Sequence, residues 1–159
     1  DSQADCLRMD MGVLAKSKTI SFECHIYNVE TLPESTLGER LYKCRISNNY
    51  TIKELAEKCN ISPETISKIE KSHANPYVTT LSKISQALNT TNEYLLGANE
   101  WPEDTPGQII YKYRMISGLS QRKLAELCGL HQSTIRDYEN DKIANPDTLK
   151  IIYKQIGYI

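Results

Sequence analysis

Apolar and polar residues along most of the chain follow the 3.6-residue period of amphipathic helices. Residues 36–39 (TLGE) and 51–54 (TIKE) are capping-box sequences, in which a threonine and a glutamate together satisfy backbone amides at the start of a helix. At residues 62–63 (SP) and 105–108 (TPGQ), proline follows the capping residue, a position that suits its fixed φ angle. The pattern predicts helices at about residues 37–47, 51–58, 62–70, 78–88, 92–96, 106–116, 120–127, 131–139 and 147–156.

The first 36 residues follow a different period. Hydrophobic residues alternate with polar ones over 7–13 and again over 20–26, with the polar stretch AKSK at 15–18 between them. This alternation predicts a β-hairpin with one buried face. Because a lone hairpin is only marginally stable, we expect it to pack on the helices, to mediate a homodimer or contact a protein partner, or to belong to a larger protein.

The chain contains an internal repeat, in which Tyr42 aligns with Tyr111. Residues 42–70 and 111–139 share ten identities over 29 aligned positions without a gap. A helical solenoid would repeat at about 34–47 residues, and the offset between these copies is longer, which indicates two independent small bundles. We therefore predict a mainly α fold of two tandem helical bundles, divided into an N-terminal hairpin segment (1–36), a first domain (37–97), a linker (98–105) and a second domain (106–159).

Two details go beyond a generic helical repeat: the closing segment ALNTTNEYLLG at 87–97, which the second copy lacks, and an arginine and a glutamate at matching places in both copies. With these details, residues 37–97 and, less fully, 106–156 bear a resemblance to the helix-turn-helix domain of the phage-repressor and Cro-like proteins, often called the XRE family, which implies two tandem lambda-repressor-like bundles. It implies that the second and third helices of each copy form the motif, and that the third helix enters the major groove of DNA.

The resemblance also implies a structural ion pair in each copy. Family members often couple an arginine near the end of the first helix to a glutamate that ends the third. Arg45 with Glu70, and Arg114 with Glu139, hold these places. We expect the pairs to fix the orientation of the helices and not to read DNA.

Candidate base contacts lie on the first turn of each third helix, where short or planar polar side chains come closest to base edges. Further candidates lie one turn on or beyond the helix, and near the start of the second helix, where cations are available to the DNA backbone. Gln132 can offer its amide to adenine, and Gln121 falls where the family places a phosphate contact, which in the first copy is occupied by Ile52. The candidate residues are Ser62, Glu64, Thr65, Lys68 and Lys71 in the first copy, and Gln121, Arg122, His131, Gln132, Ser133, Arg136 and Lys142 in the second.

The two copies differ almost throughout at the exposed positions of the third helix. Residues 62–64 read SPE, whereas residues 131–133 read HQS. If both copies bind, they should read different half-sites, which predicts an asymmetric or tandem DNA site. The alternative is that only one copy reads DNA while the other packs against a partner.

Charge is distributed unevenly along the chain, although the net charge is only −1. Residues 37–97 carry +2 and residues 106–159 carry +3, whereas residues 1–36 and 98–105 carry −3 each. Positive charge therefore lies on the repeated parts, as phosphate binding would require. Trp101 stands among acidic residues in the linker, and we expect it to pack on a domain instead of stacking on a base.

The five cysteines show no CxxC spacing, and we interpret them as core or surface thiols of a reducing compartment. Adjacent Cys24 and His25 would point to opposite faces of a strand, so no metal site is predicted. We find no spacing that supports a catalytic site, and no cofactor is predicted. The sequence also shows no secretory signal and no apolar run of about 20 residues, which favours the cytoplasm and excludes a membrane span.

The sequence thus predicts a non-enzymatic, cytoplasmic, sequence-specific transcriptional regulator of bacterial or phage origin that binds double-stranded DNA through two helix-turn-helix motifs. Two alternatives stay open. The chain could be the DNA-targeting module of a larger mobile-element enzyme, or an antitoxin-like subunit that binds another protein.

Overall fold

The computed structural model describes residues 28–142 and 145–159, and all regular structure within them is helical. A first unit contains α1–α5 and a second contains α6–α9. Both strands of the predicted hairpin, residues 7–13 and 20–26, lie outside the described residues. The helices are α1 Leu37–Ser47, α2 Ile52–Cys59, α3 Pro63–Glu70, α4 Val78–Ala87, α5 Asn92–Leu96, α6 Pro106–Ile116, α7 Gln121–Cys128, α8 Gln132–Glu139 and α9 Pro146–Ile156.

The helix boundaries confirm the predicted ranges to within one residue at each end. Thr36 and Thr51 each accept a hydrogen bond from the third backbone amide of their helix, and the glutamate at that position bonds back to the threonine amide. Thr105 and Gln108 form the same reciprocal pair at α6. The helices α1, α2 and α3 begin and end at the residues that the repeat aligns with the ends of α6, α7 and α8.

Each unit has a hydrophobic core of its own, as the repeat predicts. In the first unit Ile61, in the turn between α2 and α3, is partly buried against the core. The buried core residues are Leu41, Leu55, Ala56, Cys59, Ile66, Ile69, Leu81, Ile84, Leu88 and Leu95 in the first unit, and Ile110, Leu124, Ala125, Ile135, Tyr138, Ile152 and Ile156 in the second.

Glycine near the start of the first helix of each unit permits a close approach to the third. A Cβ atom on Gly38 would lie 2.5 Å from the carbonyl oxygen of Glu70, and one on Gly107 would lie 2.6 Å from that of Glu139. These distances are too short for any side chain, and the clash would be with backbone. The first helix of each unit can therefore lie against the end of the third only with glycine at this position.

The predicted ion pairs are confirmed in both units. Arg45 Nε donates to Glu70 Oε1 at 2.6 Å, and Arg114 Nε donates to Glu139 Oε1. The side chains of Arg45 and Glu70 are 8% and 9% exposed, and those of Arg114 and Glu139 are 6% exposed each. The remaining guanidinium donors reach the loop before the second helix, where Arg45 Nη1 donates to the carbonyl oxygen of Tyr50 at 2.8 Å. Each pair thus ties the first helix, the third helix and the intervening loop together.

Residues 28–36, which the sequence groups with the hairpin segment, contact the first unit. A short 3-10 turn, Val29–Thr31, is followed by Glu34, which pairs with Lys43 of α1 and accepts a hydrogen bond from the Tyr94 hydroxyl of α5. The pKa of the Glu34 carboxyl is held below its ordinary value by these two hydrogen bonds. This part of the segment therefore lies on α1 and α5.

The linker tryptophan packs on a domain, as predicted. The Trp101 ring stacks on the Tyr111 ring of α6 with 5.5 Å between centroids. The three cysteines of the described part of the chain are free thiols, of which Cys59 is buried and Cys44 and Cys128 are partly buried. Burial raises the pKa of each of these thiols, so they are poor nucleophiles at neutral pH.

We predict that Glu139→Gln lowers the free energy of unfolding by about 3 kcal/mol, because it leaves the buried Arg114 guanidinium without its counter-charge. Glu126→Gln is the matched control, since Glu126 is half exposed and pairs only with exposed cations. The control should change the free energy of unfolding by less than about 1 kcal/mol. Urea denaturation followed by circular dichroism measures both, and equal losses would contradict the structural role of the pair.

Candidate nucleic-acid interface

The helix-turn-helix of the second unit consists of α7, a tight turn and α8. Gly129 ends α7 in the left-handed conformation, with φ at 66°, and the Leu130 amide donates to the carbonyl oxygen of Ala125 at 2.8 Å. Ala125 is buried, and its small side chain lets neighbouring elements approach α7 closely. The turn leaves His131 and Gln132, at the start of α8, exposed to solvent.

Four of the predicted contact residues come together at the start of α8. His131, Gln132, Ser133 and Arg136 line one shallow groove. His131 caps the helix, since its Nδ1 accepts from the Ser133 amide at 3.3 Å and lies 2.7 Å from the Ser133 hydroxyl. Within the described residues, the side chains of Gln132 and Arg136 make no hydrogen bond and are exposed, so both are available to a ligand.

Gln121 is engaged differently from what the resemblance implies. Its Nε2 donates to Glu139 Oε2 at 2.6 Å, so its amide completes the buried pair of Arg114 and Glu139. The first unit has Ile52 at this place, which cannot make the bond. Gln121 therefore has a structural partner, and only its second N–H and its carbonyl oxygen can face DNA.

The remaining candidates of the second unit are exposed cations. Arg122 lies 3.7 Å from Glu126, and Lys142 lies 3.8 Å from Asp137. The side chain of Arg122 is 79% exposed and that of Lys142 is 66% exposed. Surface pairs of this kind contribute little to stability. Either cation can therefore exchange its carboxylate for a phosphate at small cost.

The first unit presents a less basic surface at the equivalent place. Ser62 caps α3, since its hydroxyl oxygen accepts from the Thr65 amide. The Ser62 and Thr65 hydroxyls also lie within hydrogen-bond distance of each other, so both side chains already have partners. Glu64 and Lys68 line one groove with apolar Ile52 and Pro63 as neighbours. Lys71, at the end of α3, is exposed. This surface offers fewer donors than that of α8.

Glu64 is a negative charge on this surface. Hydrogen bonds from its own backbone amide and from the Ser62 hydroxyl hold the pKa of its carboxyl below the ordinary value. A lowered pKa keeps the group ionised at neutral pH and below. The start of α3 therefore carries a negative charge, whereas the start of α8 carries Ser133 at the equivalent position.

Some contacts at the two motifs have no signal in the sequence. The Tyr42 ring lies 5.2 Å from the guanidinium carbon of Arg45, and the Tyr111 ring lies 5.4 Å from that of Arg114. Tyrosine at both places is one of the ten identities of the repeat, and this cation–π contact gives a physical reason for it. The bond from Gln121 to the ion pair could not be read from spacing, because its partner lies on a different helix, 18 residues away.

Comparison with known proteins agrees with this geometry. The sequence model of the helix-turn-helix family (HTH_3) matches residues 41–95 and 110–158, which include both motifs. The chain belongs to the helix-turn-helix family. The predicted resemblance to this family is thereby confirmed for both copies.

This helix-turn-helix chain is also similar to curated regulators. It is 42% identical over 77 residues to the HTH-type transcriptional regulator ImmR of Bacillus subtilis (strain 168), and the match covers 48% of this chain and only 61% of ImmR. It is 28% identical over 96 residues to the HTH-type transcriptional regulator SinR of Bacillus licheniformis, covering 57% of this chain and 86% of SinR. No solved structure matches the chain significantly. In residues 28–142 and 145–159, no helix has the length and apolar character needed to cross a membrane.

We predict that Gln121→Ala in this helix-turn-helix chain lowers the free energy of unfolding by about 1–2 kcal/mol, because the Glu139 carboxylate loses the hydrogen bond that the Gln121 amide donates to it. Arg122→Ala, at the neighbouring exposed position, should change it by less than about 0.5 kcal/mol. Urea denaturation compares the two variants. Unchanged stability of Gln121→Ala, combined with weaker DNA binding, would restore the simple phosphate-contact interpretation.

Proposed function

We propose that this chain is a sequence-specific DNA-binding transcriptional regulator that inserts α8, and α3, into the major groove. The observation that carries the proposal is the exposed first turn of α8, where Gln132 and Arg136 share one groove above a buried helix-turn-helix core. The relatives named as HTH-type transcriptional regulators support it. In this proposal the chain binds DNA in the cytoplasm and catalyses no reaction.

The α8 surface can supply both base readout and backbone contacts. The Gln132 amide has the donor and acceptor needed to bond N6 and N7 of adenine together, and the Arg136 guanidinium can do the same with O6 and N7 of guanine. Arg122 and Lys142 flank these residues as exposed cations for phosphates. Each phosphate that a cation neutralises releases counterions, which makes the affinity depend on salt.

The α3 surface contributes less affinity in this proposal. Lys68 and Lys71 are exposed and can reach phosphates, and Glu64 can accept a hydrogen bond from N4 of cytosine. The negative charge of Glu64 and the apolar side chain of Ile52 beside it reduce non-specific attraction to DNA phosphates. The first unit therefore adds selectivity, and the second unit provides most of the binding free energy.

Gln132→Ala and Arg136→Ala should each weaken binding to a selected DNA site by about 1–3 kcal/mol, roughly 5- to 150-fold, as expected for loss of a base contact. Lys154→Ala, an exposed cation at the C-terminal end of α9, is the control. Electrophoretic mobility shifts with duplexes selected from a random pool, at several salt concentrations, provide the measurement. Absence of salt-dependent binding at about 50 mM salt would overturn the proposed function.

Glu64→Gln should strengthen binding to DNA of any sequence, because it removes an ionised carboxylate from the groove surface. The expected gain is a few-fold at about 50 mM salt and should shrink as salt screens the charge. Glu93→Gln, a carboxylate on α5 outside the helix-turn-helix, is the control. Weaker binding by Glu64→Gln, confined to particular sequences, would show that Glu64 reads cytosine and does not simply repel phosphate.

A further inference from the structure

The two units contact each other through α5 of the first and the end of α6 of the second. Asn92, the first residue of α5, is only 8% exposed. Its Nδ2 lies 3.2 Å from the carbonyl oxygen of Ile116 and 3.5 Å from that of Met115. Both carbonyls lie at the end of α6, where carbonyl groups have no partner within the helix, and that of Met115 also accepts from the Gly118 amide at 3.1 Å. A side chain of the first unit therefore caps a helix of the second.

The orientation of the Asn92 amide is fixed by partners from both units. Its Oδ1 accepts from the Ser85 hydroxyl at 2.8 Å, and its Nδ2 also donates to Ser82 Oγ at 3.0 Å. Since a serine hydroxyl can donate or accept, these two bonds alone would permit either orientation. An exchange of the two amide atoms would, however, place Oδ1 at the position that lies 3.2 Å from the carbonyl oxygen of Ile116, and two acceptors repel each other there. The N–H groups therefore face the end of α6.

Gly118 brings the second unit close to the same residues. It has φ at 71°, and a Cβ atom there would collide with Ser82 Oγ. The Ser82 hydroxyl cannot turn away freely, because it donates to the Val78 carbonyl oxygen and accepts from Asn92. A side chain at this place would displace the Ser82 hydroxyl from these bonds or move the two units apart.

Contacts with the second unit and burial also hold the connector, residues 98–105, in place. Lys112 of α6 is only 7% exposed, and its Nζ lies 2.7 Å from Glu103 Oε1 and 3.2 Å from the Trp101 carbonyl oxygen. Ala98, at the start of the connector, is fully buried. The segment between the units is therefore attached at both ends and is not a free tether.

We infer that this junction, formed by Ser82, Asn92 and Gly118 with the end of α6, holds α3 and α8 at one fixed separation and orientation, so that the chain recognises a composite DNA site with two different half-sites at one spacing. The inference rests on the proposed function, since it assumes that both third helices bind DNA. Asn92 acts as a positioning residue, because it sets where α8 lies relative to α3 without touching DNA.

A fixed junction and a flexible one predict different behaviour. The connector, residues 98–105, would span at most about 28 Å if it were released and extended, so free units could adjust to several spacings. A fixed junction cannot adjust. Insertion of about 5 bp rotates one half-site to the opposite side of the duplex, and only one unit then binds.

The first experiment uses the full chain and duplexes selected by it from a random pool. We expect the selected duplexes to contain two unlike half-sites at a single spacing. Changing that spacing by about 5 bp should weaken binding by at least tenfold, toward the affinity of a single half-site, because the avidity of the linked units is lost. Equal affinity at all spacings, with DNA binding intact, would overturn the inference and leave the proposed function standing. No DNA binding at all would instead overturn the proposed function.

The second experiment opens the junction with two variants. Asn92→Asp keeps the acceptor for Ser85 but replaces the N–H donors by a carboxylate oxygen that faces the carbonyl oxygens of α6. Gly118→Ala introduces the collision with Ser82. Gly157→Ala is the matched control, since Gly157 has φ at 72° and open space around its Cβ position.

Both junction variants should bind the selected site at least about threefold more weakly and should discriminate between spacings less than the control does, while their affinity for each isolated half-site stays unchanged. Unchanged half-site affinity separates a loss of positioning from a loss of folding. If both variants fold, bind half-sites normally and still discriminate between spacings as well as Gly157→Ala, the junction does not set the spacing and the inference fails.

Discussion

The geometry of each unit depends on a buried guanidinium that bridges the first and third helices. Arg45 and Arg114 each bond two carboxylate oxygens of the glutamate that ends the third helix, and each reaches a loop carbonyl with a further donor. A buried charge without these bonds would cost several kcal/mol, so the helices can lie only where the bonds form. The third helix carries the candidate DNA contacts. The arginine–glutamate pair therefore determines which of its residues can face DNA, although the pair itself is buried.

Much of this arrangement could be predicted from the sequence, because it rests on local rules and on a repeat. Threonine caps indicated the helix starts, and the alignment of the two copies paired Arg45 with Glu70 and Arg114 with Glu139 at matching places. The contacts that could not be predicted are polar ones between distant residues. Gln121 pointed toward a phosphate by resemblance, yet its amide donates to Glu139 Oε2, an oxygen that also accepts from Arg114 Nη2 at 3.3 Å. The contact of Asn92 with the second unit could not be predicted either. Asparagine is common near helix starts because its side chain bonds nearby backbone, so its presence there does not indicate a distant partner.

The two copies share buried residues such as Leu55 with Leu124 and Ile66 with Ile135, whereas the exposed starts of their third helices differ in charge. At equivalent positions, the second unit has Gln121 and Ser133 where the first has Ile52 and Glu64. In the proposed function, the ionised carboxylate of Glu64 weakens the attraction of α3 for phosphates, and the α8 surface delivers α3 to its half-site.

That delivery requires the units to be coupled, and α5 is the element that makes coupling possible. Within the described residues the helix has no counterpart in the second unit, where Tyr158 instead packs edge-on against Tyr113 and Tyr153 on α6 and α9. In the first unit α5 packs on α1 and α4, and it also meets α6 with Asn92 at its first position. One short helix therefore closes one core and caps a helix of the next unit. A change in how α5 packs on its own core must move the cap, so the stability of the first unit and the relative placement of α3 and α8, the helices with the candidate DNA contacts, are physically linked.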